Sequence, residues 1–321
     1  TINATIEIHD NAPGCNSQEE VEAACGTCLP EGITFSTQAQ IDSFQINYAG
    51  CSEIEGDVTI SMGITNLNGL SVLTSIGGYL DIEYNPALTS LAGLDNLTTV
   101  DSCVWIGDND VLASLSGLEA LTSIGYFLSI FGNASLTSIT ALNNLAYVGD
   151  GLYISDNDSL ASLTGLEGLT SVNDLMIGLN PVLTNLNGLD SITSIRGNLL
   201  IDDNEAMVNL AGLDGLTSIG AGGIIIYENP ALVSLTGLEN VNAGSLNYLH
   251  LGNNVSLSTC DVKSICTYLA APGGTVEILN NATGCNSQAE VSEACSYGVE
   301  ENYNQQQCTI FPNPFTGETT F

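Results

Sequence analysis

The sequence predicts a mainly β, right-handed solenoid closed by short helical, disulfide-bearing caps. Three observations lead there. From Gly56 to Ser245 the chain repeats with a period near 24 residues. Every unit but the eroded first carries one Asn at the same column. Nine of the ten Cys lie outside residues 52–259, at the flanks of the repeats.

The elements follow in chain order. Residues 1–27 read as the C-terminal cap of a preceding module and residues 28–55 as an N-terminal cap. In the latter, Ser36-Thr37-Gln38 opens a helical stretch to about Tyr48, with Ile41, Phe44 and Ile46 as its buried positions. Cys28 and Cys51 bracket that stretch and form the favoured disulfide. Residues 56–245 make about eight coils: an eroded unit of 22 residues, the unit Gly78–Asp101, then units beginning at Ser102, Tyr126, Asp150, Asp174, Gly197 and Ala221.

The column pattern L-x-I-x-x-N-x-x-L-x-x-L-x-G-L-x-x-L-x-x-I explains why the units stack. Its steps of two read as a short strand, and its steps of three as tight turns or 3₁₀-like segments. One coil has too few apolar side chains to pack alone, so stacking must align the Leu and Ile columns into a shared core. The Asn column holds Asn85, Asn109, Asn133, Asn157, Asn180, Asn204, Asn229 and Asn254. An inward amide there satisfies backbone groups where the chain leaves the strand, which predicts a structural ladder.

Residues 246–299 read as the last coil and the C-terminal cap, with a helix over 257–270. Cys260, Cys266, Cys285 and Cys295 admit three pairings, which the sequence leaves open. Cys15 and Cys25 join them as disulfide candidates, and Cys103 reads as a buried free thiol. Cys25-Gly-Thr-Cys28 has C-x-x-C spacing, but no second pair or nearby His completes a zinc site. Cysteines clustered at the ends point to an oxidising, extracytoplasmic setting.

Charge excludes further classes. The chain has 2 Lys plus Arg against 36 Asp plus Glu, a net charge of −34. Nucleic acid and anionic membrane surfaces need the opposite sign. The longest purely aliphatic run is Ile224–Ile226, so no membrane span is expected. The only histidines, His9 and His250, fall in different parts of the chain, and no Ser-His-Asp or Cys-His constellation assembles. The expectation is a non-catalytic protein without a cofactor.

Calcium is the one metal candidate. Asp108 and Asp110, Asp156 and Asp158, and Asp203 and Glu205 place carboxylates at one corner of every second coil. Alternation doubles the spacing of like charges, so relief of repulsion accounts for the pattern as well. A Thr-Ser column, including Thr98-Thr99 and Thr122-Ser123, admits an ice-binding face as a minor alternative to a polar outward turn.

The repeat unit GLYISDNDSLASLTGLEGLTSV at 151–172 resembles leucine-rich repeats and, more closely, the receptor L-domain family. The resemblance covers roughly 51–269. It implies a solenoid that binds protein ligands or mediates surface contacts, and it transfers no ligand residues. The segment IFPNPFTGETTF at 310–321 is similar to the opening of the C-terminal sorting domain of the Bacteroidetes type IX secretion system. Residues 300–321 are then a linker and the first strand of a truncated sorting domain. That similarity implies contact with the type IX machinery, export through the outer membrane, and release or anchoring at the cell surface. Asp158-Ser159-Leu160 and Asp190-Ser191-Ile192 resemble the Bacteroidetes O-glycosylation acceptor motif, which makes Ser159 and Ser191 candidate acceptors.

The functional expectation is a secreted or cell-surface solenoid for adhesion, assembly, or protein or glycan binding. The alternative is a filament or spacer subunit whose partner is itself, head to tail. One internal similarity bears on this. TIEIHDNAPGCNSQEEVEAAC at 5–25 and TVEILNNATGCNSQAEVSEAC at 275–295 share 14 of 21 positions at an offset of 270. The second copy closes a solenoid, so the first should close one that precedes Thr1. The full open reading frame is expected to encode an upstream module of about 270 residues by repeat arithmetic; a signal peptide immediately before Thr1 would refute this.

Overall fold

The computed structural model describes residues 27–220 and 222–296. They form a stack of coils built on parallel sheets. The larger sheet has eleven strands, all parallel and in chain order. They are Ile33–Phe35, Val58–Ile60, Leu80–Glu83, Val104–Gly107, Leu128–Phe131, Leu152–Ser155, Leu175–Gly178, Leu199–Asp202, Ile224–Tyr227, Tyr248–Gly252 and Thr275–Leu279. Register is unshifted from coil to coil: Leu128 faces Leu152 and Ile130 faces Ile154. The inward residues of each strand, such as Leu80 and Ile82, are fully buried, while Asp81 and Glu83 between them are half-buried. That alternation is the period-two pattern of a sheet covered on one side.

Two-residue strands line another side of each coil. Those from Thr27–Cys28 to Tyr147–Val148 form a six-stranded sheet, and those from Ser171–Val172 to Ser218–Ile219 a three-stranded one. Between them the N–H of Asn173 bonds Asp150 O at 2.6 Å. In the neighbouring coils the equivalent N–H reaches a preceding strand carbonyl, as from Gly149 to Ile124 at 3.0 Å. The Thr column has a structural use here. The hydroxyls of Thr98, Thr122 and Thr217 donate to the carbonyls of Thr74, Thr98 and Thr193 in the preceding coil, at 2.9–3.0 Å.

The Asn ladder is present and fully buried. In Asn109, Nδ2 donates to Ile82 O of the preceding coil at 2.9 Å and to Gly107 O of its own coil at 2.8 Å. Its Oδ1 accepts the N–H of Asn85 at 3.1 Å. The rungs repeat through Asn254 and continue to Asn281, whose Oδ1 accepts Asn254 N–H at 3.0 Å. The residue before each rung turns the chain through the left-handed region, with φ of 51° at Asp108, 56° at Asp156 and 53° at Asp203. Asp and Asn tolerate this conformation better than other side-chain-bearing residues, which gives those acids a local conformational role.

A second acidic column serves another turn. In six coils the Gly of L-x-G-L has φ of 105–118° and donates its N–H to the carboxylate two residues on: Asp95, Glu119, Glu167, Asp190, Asp214 or Glu239, at 2.7–3.1 Å. In the two coils with Ser71 or Asn143 at the acid position, the turn is instead the 3₁₀ segment Asn68–Leu70 or Thr140–Leu142. The acid-held turn also serves the stack. In that turn the carbonyls of Ser116, Ala211 and Thr236 accept Leu91, Leu186 and Leu210 N–H of the preceding coil, at 2.8–3.1 Å.

The caps depart from the sequence expectation in three ways. The N-terminal helical stretch is two short helices, Gln38–Asp42 and Phe44–Asn47. Between them Ser43 Oγ donates to Ala39 O at 2.7 Å. Ile41 and Phe44 are buried as expected, but Ile46 is 80% exposed, because a four-residue helix aimed inward at Phe44 turns the residue two places on toward solvent. At the other end the helix is shorter than 257–270 and spans Lys263–Ala270. Both caps also contribute strands to the large sheet, Ile33–Phe35 and Thr275–Leu279.

Cys28 pairs with Cys51, and the open choice among the other four resolves to Cys260–Cys285 and Cys266–Cys295, with Cα separations of 5.5–5.7 Å. Cys103 is a buried free thiol. Cys15, Cys25, His9, the 5–25 copy and the 300–321 segment lie outside the described residues.

Replacing Asn157 with Ala removes its bonds to Ile130 O, Ser155 O and Asn133 N–H, leaving these backbone groups without that amide. Chemical denaturation should show a loss of roughly 3 kcal/mol. The exposed Asn144→Ala, which loses one bond to Glu119 O, should cost under about 1 kcal/mol.

Candidate ligand-binding face

The outward side of the eleven-stranded sheet collects the side chains that the core does not claim. One transverse row, one residue per strand, runs Thr34, Thr59, Asp81, Trp105, Ser129, Tyr153, Met176, Leu200, Ile225, His250 and Glu277. From Trp105 to Ile225 this row is apolar except for Ser129, although it faces outward and is half-buried rather than covered. A solvated sheet face ordinarily alternates to polar residues at these positions. Strand spacing of about 4.8 Å makes the apolar run roughly 24 Å long.

Rings concentrate at its N-terminal end. Tyr79 and Trp105 meet edge to face with centroids 5.5 Å apart, Trp105 and Phe127 do so at 4.8 Å, and Phe127 and Tyr153 at 5.7 Å. Glycines seat two neighbouring rings. A Cβ on Gly107 would run into the Phe131 ring, and one on Gly151 into the Tyr153 ring. The missing Cβ atoms thus leave the Phe131 and Tyr153 rings room to lie against the neighbouring backbone.

Asp81 borders the run at one end, and His250, with Glu277 on the strand beyond it, at the other. Asp81 is the register partner of Trp105. Its Oδ1 is shielded from solvent without a hydrogen-bond partner, and burial raises its pKa. Glu83, on the same strand, is raised by burial and then by the charges of Asp81 and Asp108. At the far end Glu277 accepts from Tyr248 Oη at 2.9 Å and lies 3.0 Å from His250 Nδ1, and these bonds lower its pKa. Between the ends, Asp202 is buried. It accepts from Tyr227 Oη at 3.2 Å, while its Oδ1 has no partner. Burial raises the Asp202 pKa, opposed by the Tyr227 bond and reinforced by Asp203 and Glu228.

The residues singled out from sequence lie elsewhere. The eight predicted Asn are structural rungs. The carboxylate pairs sit on the turn that follows the strands, with Asp110, Asp156, Asp158 and Glu205 exposed and Asp108 and Asp203 half-buried. Among the described residues no three His, Cys, Asp or Glu side chains converge on a metal position. Ser159 donates to Ala134 O at 2.7 Å, and both Ser159 and Ser191 are half-buried.

The aromatic run itself escaped the sequence reading. Its signal was present as Trp105 and Tyr153 at the outward x positions of L-x-I-x. Compared with protein-family models and with curated proteins, the sequence finds no match in either.

The raised Asp202 pKa sets a sign for stability. A carboxylate whose native pKa exceeds its unfolded value adds stability below the unfolded value, and that stability is lost as pH rises through the native one. Asp202→Asn keeps an acceptor for Tyr227 and removes the penalty. Its melting temperature at pH 7 should rise by about 1–3 °C, and its gain on acidification into the carboxylate range should be smaller than that of the parent chain. A lower melting temperature at pH 7 would show that the charge itself holds the fold.

Proposed function

We propose that this chain is a non-catalytic binding module working outside the cell, and that the outward face of its large sheet is the ligand-contact surface. The observation that carries this is the half-buried apolar run from Trp105 to Ile225 on the outward face, bordered by Asp81 at one end and by His250 with Glu277 at the other. Apolar surface left on a sheet that has polar alternatives marks a contact site. Three disulfides support an oxidising compartment. Among the described residues no helix is long and apolar enough to cross a membrane.

The finer assignment is a right-handed leucine-rich-repeat solenoid of the receptor L-domain kind. It rests on the repeat columns and the buried Asn in each coil. Export by the type IX route to the outer cell surface rests on the similarity at 310–321. In the alternative role, a head-to-tail spacer, the ends would do the work instead of the face.

The test combines an array of glycans and proteins with electron microscopy. The double variant Trp105→Ala, Tyr153→Ala should lose at least about tenfold in affinity for the ligand that the array identifies, as hot-spot aromatics do. Thr122→Val on the short-strand side should bind as the parent does. Binding that survives the double substitution, or regular filaments without ligand, would overturn this assignment.

A further inference from the structure

We propose that the Asp81–Trp105 end of the face receives cationic side chains, the lysines or arginines of a basic protein segment. This rests on the large sheet being the ligand face and adds the chemistry of the partner.

Three features of the site converge on a cation. The first is the ring cluster. Indole and phenol faces attract ammonium and guanidinium groups through their quadrupoles, most strongly for Trp and where water is partly excluded. Trp105 is held at fixed angles by Tyr79 on one side and Phe127 on the other. The second is Asp81, in register with Trp105, with one oxygen shielded and unpartnered. A carboxylate so placed is unfavourable until a counter-charge meets it. Glu83 on the same strand and Asp108 on the turn beyond the next add like charge.

The third is the lack of any internal remedy. The chain has only two basic residues, Arg196 and Lys263. The first follows the short strand Ser194–Ile195 and the second opens the C-terminal helix, so neither lies on the strands that carry the cluster. A neutral sugar could stack on the rings but would leave the repulsion among Asp81, Glu83 and Asp108 intact. A cationic side chain stacks and neutralises at once. Its long methylene stem also suits an apolar run while the charged head meets the carboxylates.

Trp105 is the only tryptophan of the chain, so its emission reports on this site alone. The experiment titrates the full chain with an oligolysine peptide, with the same peptide acetylated on every ε-amine, and with neutral oligosaccharides. Fluorescence and calorimetry are read at several salt concentrations. Oligolysine should change Trp105 emission saturably, with affinity falling as salt rises, and the acetylated peptide should not. Asp81→Asn should weaken binding by about tenfold, as loss of a desolvated charge partner does. It should do so with an unchanged or raised melting temperature. Asp158→Asn, at an exposed turn, should change it by less than about twofold.

Equal binding of oligolysine to Asp81→Asn, Trp105→Phe and the parent chain would reduce the effect to general attraction by a net charge of −34 and overturn the proposal. A response to neutral sugars without one to oligolysine would also overturn it, while leaving the sheet face as the ligand surface. If the array ligand binds the double variant Trp105→Ala, Tyr153→Ala undiminished, both assignments fall together.

Discussion

Each coil depends on the side-chain amide of its Asn, which makes the bonds that the turning backbone cannot make by itself. Where a strand ends, carbonyls such as Ile106 O and Phe131 O point inward, away from water. Asn133 Nδ2 reaches both at 2.9 Å. Buried carbonyls without such a partner would carry a desolvation penalty of about 1–3 kcal/mol each. One of the two belongs to the preceding coil, so the amide fixes turn and stacking together. This requires every coil to bring the same atoms to the same height. The unit lengths of 23–25 residues after the eroded first coil follow from that demand. The first coil shows what happens at the boundary. Gly63 stands at its rung position, and Asn85 Oδ1 takes the N–H of Ile64 at 3.0 Å instead.

The acidity of the chain acquires a structural origin from the same stacking. One set of carboxylates holds the glycine turn, and where the acid is absent the turn relaxes to a 3₁₀ segment. Another set occupies left-handed corner positions before the Asn rungs. Both are turn positions that recur along the stack and are acidic in many coils, so negative charge accumulates with coil number. Asp108, Asp156 and Asp203 stand at alternate coils, which softens the repulsion, but Glu228 at the coil after Asp203 breaks the alternation and the stack still carries like charge. Arg196 and Lys263 are too few to balance it, which leaves neutralisation to the surroundings of the protein.

The sequence made the core legible because packing is periodic. The Leu and Ile columns, the eight Asn rungs and the Cys28–Cys51 pair could all be read from spacing. Caps break the period, and there the reading slipped. Ile46 looked like a core residue in one continuous helix, but the break at Ser43 changes which side faces inward. Asn281 completes the ladder from inside the cap and follows Ile278 at the column spacing, yet the helix Lys263–Ala270 and the chain around it interrupt the repeat and hide the match. The pairing of Cys260 with Cys285 and of Cys266 with Cys295 depends on how the cap segment around that helix folds back. The aromatic run was missed for a different reason. Inward positions must repeat, while outward ones are unconstrained by packing, so nothing in the period marks Trp105 or Tyr153.

That freedom is what makes the outward face informative. The two sheet sides of a coil obey the same stacking geometry but spend their side chains differently. On the short-strand side, the Thr hydroxyls turn back to the carbonyls of the preceding coil, so their hydrogen bonds serve the stack. On the large sheet, the rings of Trp105, Phe127 and Tyr153 make no hydrogen bond that the stack needs, and small polar side chains would satisfy the strand equally well. Glycines at 107 and 151 leave room for the Phe131 and Tyr153 rings. Asp81 is set beside the rings with an oxygen that no protein group meets. A face built only for stability would have neither the uncovered rings nor the unmet charge. Their adjacency in register, on strands whose spacing the Asn ladder holds constant, links the rigidity of the stack to recognition.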